Sequence, residues 1–464
     1  MRRLGTLLAG LVLVATPSFA ASAPETTRAD ARALFEAIIA MDTSVGKGQV
    51  PAMAEYLAGR FRAAGFPAAD IHVVPLQDTA SLVVRYRGDG SGGRPVALIA
   101  HMDVVAAKRS DWQRDPFRLI EENGYFYGRG TLDVKQEVAL LAATFLHLRA
   151  AGFVPTRDLI IAFSGDEESQ QDSTVDLVGK HRDLIDAEYA LNGDGGGGVL
   201  DEKTGQPTLY YVQGAEKTSA SFTLTTHNAG GHSSQPRADN AIYDLADGLR
   251  AVQRLKFPVQ WSEWTLGDFK AAGRVTPGPL GVALTRFAAR PGDAVAARQI
   301  EQSPAFVGKL RTTCVATLLQ GGHAENALPQ SASATVNCRI FPGTKTAEVL
   351  HALQAATGSR VAVSLPLEPL SSDASPTRAD VMQAVEKSVK AASGGAPVVP
   401  TLAAYATDGI VFRAAGIPTY GVSSSFVKRS DEFRHGLNER IPVESFYHGL
   451  VFWETLIRSV AGKR

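Results

Sequence analysis

From about residue 28 onward, the chain alternates segments of two hydrophobic periods. Ala29–Met41 and Ala52–Ala64 carry apolar residues at helical spacing, and Gly65 is a natural stop for the second. Asp70–Pro75 and Ser81–Arg87 read as strands. Val96–Ala100, Leu159–Ser164 and Tyr189–Leu191 are short, uninterrupted apolar runs, the pattern of strands buried on both faces of a sheet. Glu137–Ala151 reads as a long amphipathic helix closed by Gly152. Alternation of this kind predicts an α/β layered fold.

A second, smaller layer begins near Gly214. Ser219–Thr226 alternates as a half-buried strand, Ala241–Leu255 is helical, and Thr312–Leu319 and Ala332–Phe341 are strand-like. A helix over Ala347–Thr357 and a strand over Arg360–Leu365 complete a β-α-β-β-α-β order, which is that of a ferredoxin-like unit. Pro258–Pro304, with Trp261, Trp264 and a Pro-Gly-Pro turn, interrupts it as an insertion. From about Asp380 the alternation of helix and strand resumes and ends in a helix over Val443–Val460. The pattern divides the chain into a signal (1–23), the first part of a split α/β domain (24–213), an inserted smaller domain (214–369) that itself carries the insertion 258–304, and the second part of the split domain (370–464).

Composition narrows the class. The 464 residues hold 47 basic and 47 acidic side chains, so net charge gives no support for nucleic acid or an anionic membrane as the main partner. Two cysteines are too few for a disulfide scaffold. Arg2 and Arg3 precede the apolar run Leu4–Ala15 and the small residues 18–23, the layout of a secretory signal cleaved after Ala20 or Ala23. The run is too short to span a bilayer of about 30 Å. A periplasmic or secreted protein with no membrane contact after cleavage is expected. Export leaves two states open for Cys314 and Cys338, a disulfide across a hairpin or two buried thiols in adjacent strands.

Candidate chemistry follows the apolar strands. His101-Met102-Asp103 comes after Val96–Ala100, and Asp166-Glu167-Glu168 follows Leu159–Ser164 with one glycine between. Asn192-Gly193-Asp194 follows Tyr189–Leu191, and Gly128-Arg129-Gly130-Thr131-Leu132-Asp133 leads into the long helix. Open α/β sheets bind ligands at the carboxyl ends of their strands, so these loops should converge. Each block alone is an ordinary loop or turn. Together they would crowd carboxylates that repel one another unless a cation joins them. Carboxylate and imidazole are the donor set that suits Zn²⁺.

With Gly231-His232-Ser233-Ser234 and His435-Gly436-Leu437-Asn438-Glu439, these blocks resemble zinc metallopeptidase family 20, which includes aminoacylase, carnosinase and carboxypeptidase S. The likeness runs from about Ala33 to the end and is nearest the carboxypeptidase S and dipeptidase branch. It implies a mixed-sheet catalytic domain with helices on both faces and an inserted ferredoxin-like lid. It also implies two Zn²⁺ per subunit, with Mn²⁺ or Co²⁺ as substitutes. His101 and Asp194 would hold one ion, His435 and Glu168 the other, with Asp133 bridging and its peptide to Val134 cis. Glu167 would be the general base, and Asp103 would orient His101 through its ring N–H. His232 would stabilise the oxyanion, from the neighbouring subunit in dimeric members, so a homodimer is one expectation and a monomer with a reshaped lid another. Asn326 and Arg339 would bind substrate.

The implied activity is that of a zinc-dependent exopeptidase on dipeptides or short peptides. Its rival is an N-acyl-amino-acid amidohydrolase with the same centre. Two other classes compete. A degenerate, non-catalytic scaffold would have lost ligands or base, which are all here. A serine hydrolase is suggested by Gly421-Val422-Ser423-Ser424-Ser425, which lacks the Gly-x-Ser-x-Gly elbow.

Overall fold

The computed structural model describes residues 22–463, so most of the proposed signal segment lies outside the described residues. Two sheets organise the chain. The larger has ten strands. Its centre is parallel: Val96–His101 lies between Leu159–Ser164 and Tyr189–Asn192, and Thr419–Gly421 continues beyond Tyr189–Asn192 in the same direction. Antiparallel strands Thr79–Tyr86 and Ile71–Leu76 close one side. Pro207–Glu216, Gly197–Leu200, Phe426–Lys428 and Val398–Ala403 build the other.

Helices cover both faces of this sheet, which explains the uninterrupted apolar runs. Along Val96–His101, Leu98 joins the core beneath Glu25–Ile39, Val50–Ala63, Lys135–Ala150, Ala379–Ser393 and Val443–Ala461. Its neighbours Ala97 and Ile99 join the opposite core, with Leu177, Ile185 and Phe412. The helix expected to be amphipathic, Lys135–Ala150, is instead buried at every position from Lys135 to Phe145. It lies between the first and last helices of the described chain, so it has no solvent face to keep polar.

The smaller sheet has four strands in the order Thr313–Gly321, Ser331–Ile340, Thr218–His227, Ala362–Ser364, all antiparallel. Helices Ala241–Arg254 and Thr346–Thr357 pack on one face, where Phe222, Leu224, Val336 and Ile340 are buried. This is the ferredoxin-like arrangement. Cys314 and Cys338 lie opposite each other and are disulfide-bonded.

The insertion forms four helices between Glu263 and Leu310, with Phe269, Leu284, Phe287 and Ile300 as its own core. It docks on the larger sheet, not the smaller. The Trp264 indole donates to the Ser375 carbonyl at 2.9 Å and lies against Gly214, where an added Cβ would come within 1.9 Å of the ring. Ala271 meets Leu209 and Val399, and the Asp268 carboxylate accepts from Thr401 Oγ1 at 2.8 Å.

Candidate metal centre

The parallel strands end at one edge, and the loops beyond them meet there. His101 is the last residue of its strand. Its Nε2 lies 3.2 Å from Asp133 Oδ1 and 3.8 Å from Asp194 Oδ2. The other oxygen of Asp133 lies 3.2 Å from His435 Nε2, which is 2.9 Å from Glu168 Oε1. Asp133 therefore sits between two imidazoles, one carboxylate oxygen toward each. Three groups of donors lie close enough to share an ion: His101, Asp133 and Asp194; Asp133, Glu168 and His435; and His101, Glu167 and Glu168.

The surroundings hold these groups in place. Glu439 is fully buried, and its Oε1 accepts the main-chain N–H of Leu132 at 2.7 Å and of Asp133 at 2.9 Å. Its other oxygen takes Gly130 N–H at 3.1 Å and the Arg129 guanidinium at 2.5 Å, and Arg129 reaches the Gly436 carbonyl at 3.2 Å. One ion pair thus locks the loop bearing Asp133 to the loop bearing His435, where His435 itself takes a left-handed φ of 60°. The Asp133–Val134 peptide is cis. Asp194 is held by an Asx turn, its N–H donating to the Asn192 side chain at 2.9 Å.

The structure alters the reading of Asp103. His101 Nδ1 is 3.0 Å from the Asp103 main-chain carbonyl and 3.5 Å from its carboxylate. That carboxylate instead accepts the N–H groups of Glu167, at 3.1 Å, and Glu168, at 2.9 Å. It fixes the two glutamates as much as the imidazole. Sequence reasoning missed Glu439, Arg129 and Asp408. The last is buried behind Glu167, accepts from Thr174 at 2.8 Å and from Ser164, and is pushed up to about 7 by burial. Its only sequence signal was an acid in an apolar stretch.

Electrostatically, the cluster holds more negative charge than its burial tolerates. Burial, with Asp133 beside it, pushes Asp194 up to about 8. Burial likewise raises Glu167 well above the ordinary carboxylate range, and Asp194, Asp408 and Glu168 add to it. Hydrogen bonds to Asp133 and Glu168 push His435 up to about 10. Carboxylates and imidazoles crowded together, with Asp194 and Glu167 driven toward their neutral forms, are a donor set that fits bound divalent cations.

The groups expected from the smaller layer are not brought to this edge. His232 is exposed, its Nδ1 2.7 Å from Ser234 Oγ. Asn326 is exposed beside it, its carbonyl accepting Ser233 N–H at 3.0 Å. Arg339 is half-buried on the polar face of the smaller sheet, opposite Ser219 and Thr313. None of the three lines the cavity of about 680 Å³ that opens beside Asp133, Glu167, Glu168, Asp194 and His435. The serine run is buried: Ser423 and Ser424 hydroxyls donate to Glu137 at 2.8 and 3.0 Å, so they serve the interior of the fold.

The sequence profile of Peptidase family M20/M25/M40 matches residues 97–459. The N-fatty-acyl-amino acid synthase/hydrolase PM20D1 of Xenopus tropicalis is 29% identical over 388 residues, covering 82% of this chain and 75% of that protein. A probable carboxypeptidase S-like 2 of Dictyostelium discoideum is 26% identical over 400 residues, covering 82% and 74%. Among solved structures, the M20 family metallo-carboxypeptidase Sso-CP2 from Sulfolobus solfataricus superposes with a TM-score of 0.68 at 16% identity, over 93% of this chain and 99% of that one.

Proposed function

The chain belongs to peptidase family M20/M25/M40 and is a hydrolase of the metallopeptidase type, and we propose that it is a two-zinc exopeptidase that cleaves dipeptides or short peptides. The observation that carries this reading is Asp133, whose two oxygens each lie 3.2 Å from a different imidazole. His101 and Asp194 would hold one ion, His435 and Glu168 the other, with Asp133 shared. When bound, the ions supply Lewis acidity that polarises the scissile carbonyl and acidifies the attacking water. Glu167, held by the Asp103 carboxylate through its N–H, takes the proton of that water and delivers it to the departing amine. His232 would supply a donor to the oxyanion, and Arg339 with Asn326 would hold the substrate carboxylate.

A second reading, hydrolysis of N-acyl amino acids by the same residues, is favoured by the likeness to the PM20D1 relative. Hydrolysis by protein reconstituted with zinc, on dipeptides against N-acetyl amino acids, separates the two. Activity on N-acetyl amino acids alone would exclude the peptidase reading, and activity untouched by EDTA would exclude the metal.

The division into catalytic parts 24–213 and 370–464 around a lid at 214–369 is part of this proposal, as is export by the leader. Among the described residues, no helix is long and apolar enough to cross a membrane. A homodimer also belongs to it. The edge strand Thr313–Gly321 exposes Val315, Leu318 and Leu319, and Ile242 and Tyr243 are exposed on the adjacent helix. An uncovered apolar edge is a site for pairing. Light scattering that gives a monomer mass at micromolar concentration would refute the dimer.

A further inference from the structure

The cavity beside the metal centre has two chemically different ends. Its inner end is formed by the donors themselves, so a scissile carbonyl would be attacked there. Away from the donors it is also lined by Val199, Val427 and Tyr211. Another wall comes from the last residue of the strand Phe426–Lys428 and the turn after it, which contribute Lys428 and Arg429, while Arg434, just before His435, lies within electrostatic reach of Asp133 and Asp194.

Two of these cations, Lys428 and Arg429, are left without an acid to pair with. Glu432, also in the cavity lining, is already paired with Arg434. Neither Lys428 nor Arg429 has a carboxylate within ion-pair distance among the described residues. Glu202, which Lys428 influences from a distance, is engaged by the N–H and hydroxyl of Ser430, at 3.1 Å and 2.6 Å. Arg429 lies beside the Tyr211 phenol, inside the cavity wall. Two cations that line a concave site without a carboxylate partner attract a ligand of the opposite sign to that part of it.

Resting on the hydrolytic reading above, we propose that this cavity receives the acyl half of the substrate and selects an acyl group with a terminal carboxylate, held by Lys428 and Arg429. Asn326 and Arg339, read as holding the amine half, do not line the cavity, which leaves it to the acyl half. Val199 and Val427 accommodate a short methylene chain, and Lys428 and Arg429 receive its anionic end. The carboxylate has two chemical sources, a dicarboxylic acyl group or the side chain of an N-terminal acidic residue.

The test uses the full-length, zinc-loaded protein and substrates that differ in one group. N-malonyl to N-adipoyl derivatives of one amino acid are compared with their terminal amides, and N-terminal glutamyl dipeptides with glutaminyl ones. For at least one chain length the carboxylate should exceed its amide by about tenfold or more in kcat/KM, mainly through KM. A preference in the acyl series alone assigns the dicarboxylic source, and in the dipeptide series alone the acidic residue. The ratio should fall toward one in the double variant Lys428→Gln/Arg429→Gln, both substrates being measured on the same sample. Equal rates for acid and amide, or a preference that survives in the double variant, would overturn the proposal. Calorimetry of glutarate against its monoamide reads the same preference without turnover. A chain that binds glutarate preferentially but hydrolyses nothing would sink the functional reading and leave the subsite standing.

Discussion

The two sheets of this chain treat polar residues in opposite ways. In the larger, strands such as Val96–His101 and Leu159–Ser164 are buried at every position, so polar chemistry is gathered at and just past their ends. Parallel pairing puts those ends at one edge, and carboxylates from distant parts of the chain meet there. In the smaller sheet, Ser331–Ile340 alternates buried and partly exposed residues, and its polar side chains spread over an open face. His232, Asn326 and Arg339 belong to that layer and meet no donor of the metal centre. One sheet concentrates reactive groups by its topology, while the other displays groups that need something brought to them.

The comparison breaks most easily at Glu167. If proton transfer belongs to the larger body alone, Glu167→Gln should retain its zinc and lose about 10²- to 10⁴-fold in kcat. Metal analysis beside steady-state kinetics checks both halves of that statement, and a variant with normal zinc and normal kcat would remove Glu167 from the base role.

Next in size is the brace beneath the centre. Arg129 and Glu439 form a buried ion pair across 310 residues of sequence. Removing one partner leaves a buried charge uncompensated, so Arg129→Met should cost about 3–5 kcal/mol of unfolding free energy. Urea unfolding measures this directly. A loss below about 1 kcal/mol would mean that the loops are held by other contacts.

These two residues also mark how far the sequence could be read. Strands and donor blocks are legible because each block directly follows a short apolar run, a signal carried by neighbouring residues. The ferredoxin-like order is legible for the same reason. The Arg129–Glu439 pair, the grip of Asp103 on the Glu167 and Glu168 amides, and the acid Asp408 behind them join residues far apart in the chain, and no local pattern reports such pairs. Glycine-rich strands escape as well: nothing in Gly197–Leu200 itself marks a strand, because the residues that pair it, Leu209 to Tyr211 and Phe426 to Lys428, lie elsewhere. The docking of Trp264 on Gly214 falls in the same class, which is why the insertion reads as part of the smaller layer although it covers the larger sheet.

The smaller layer offers a narrower test. His232→Ala should lower kcat about 10²- to 10³-fold if the imidazole stabilises the oxyanion. Mixing this variant with Glu167→Gln distinguishes where the imidazole comes from. If it is supplied by the partner, each mixed dimer regains one intact site, and activity rises on mixing. Supplied within the chain, it leaves every site lacking one group, and activity stays at the level of the separate variants.

The smallest effect lies where the two regions join. Lys217 follows the large-sheet strand Pro207–Glu216 and precedes the small-sheet strand Thr218–His227. Its side chain is fully buried, donating to the Arg311 carbonyl at 2.8 Å and to Thr313 Oγ1 at 3.3 Å. Burial, with Arg339 nearby, pushes its ammonium down to about 7. Unfolded, the same group titrates near 10.4, so between these values the unfolded chain binds the extra proton. Stability held back by this lysine is therefore lost in full below about pH 7 and recovered as pH rises toward 10, at up to about 1.4 kcal/mol per pH unit. Against Lys217→Met, which has no such proton, the wild-type chain should gain stability steadily in urea unfolding at pH 7, 8 and 9. Parallel pH profiles for the two proteins would mean that the junction holds its lysine charged, and that the boundary between the sheets is wetter than its burial implies.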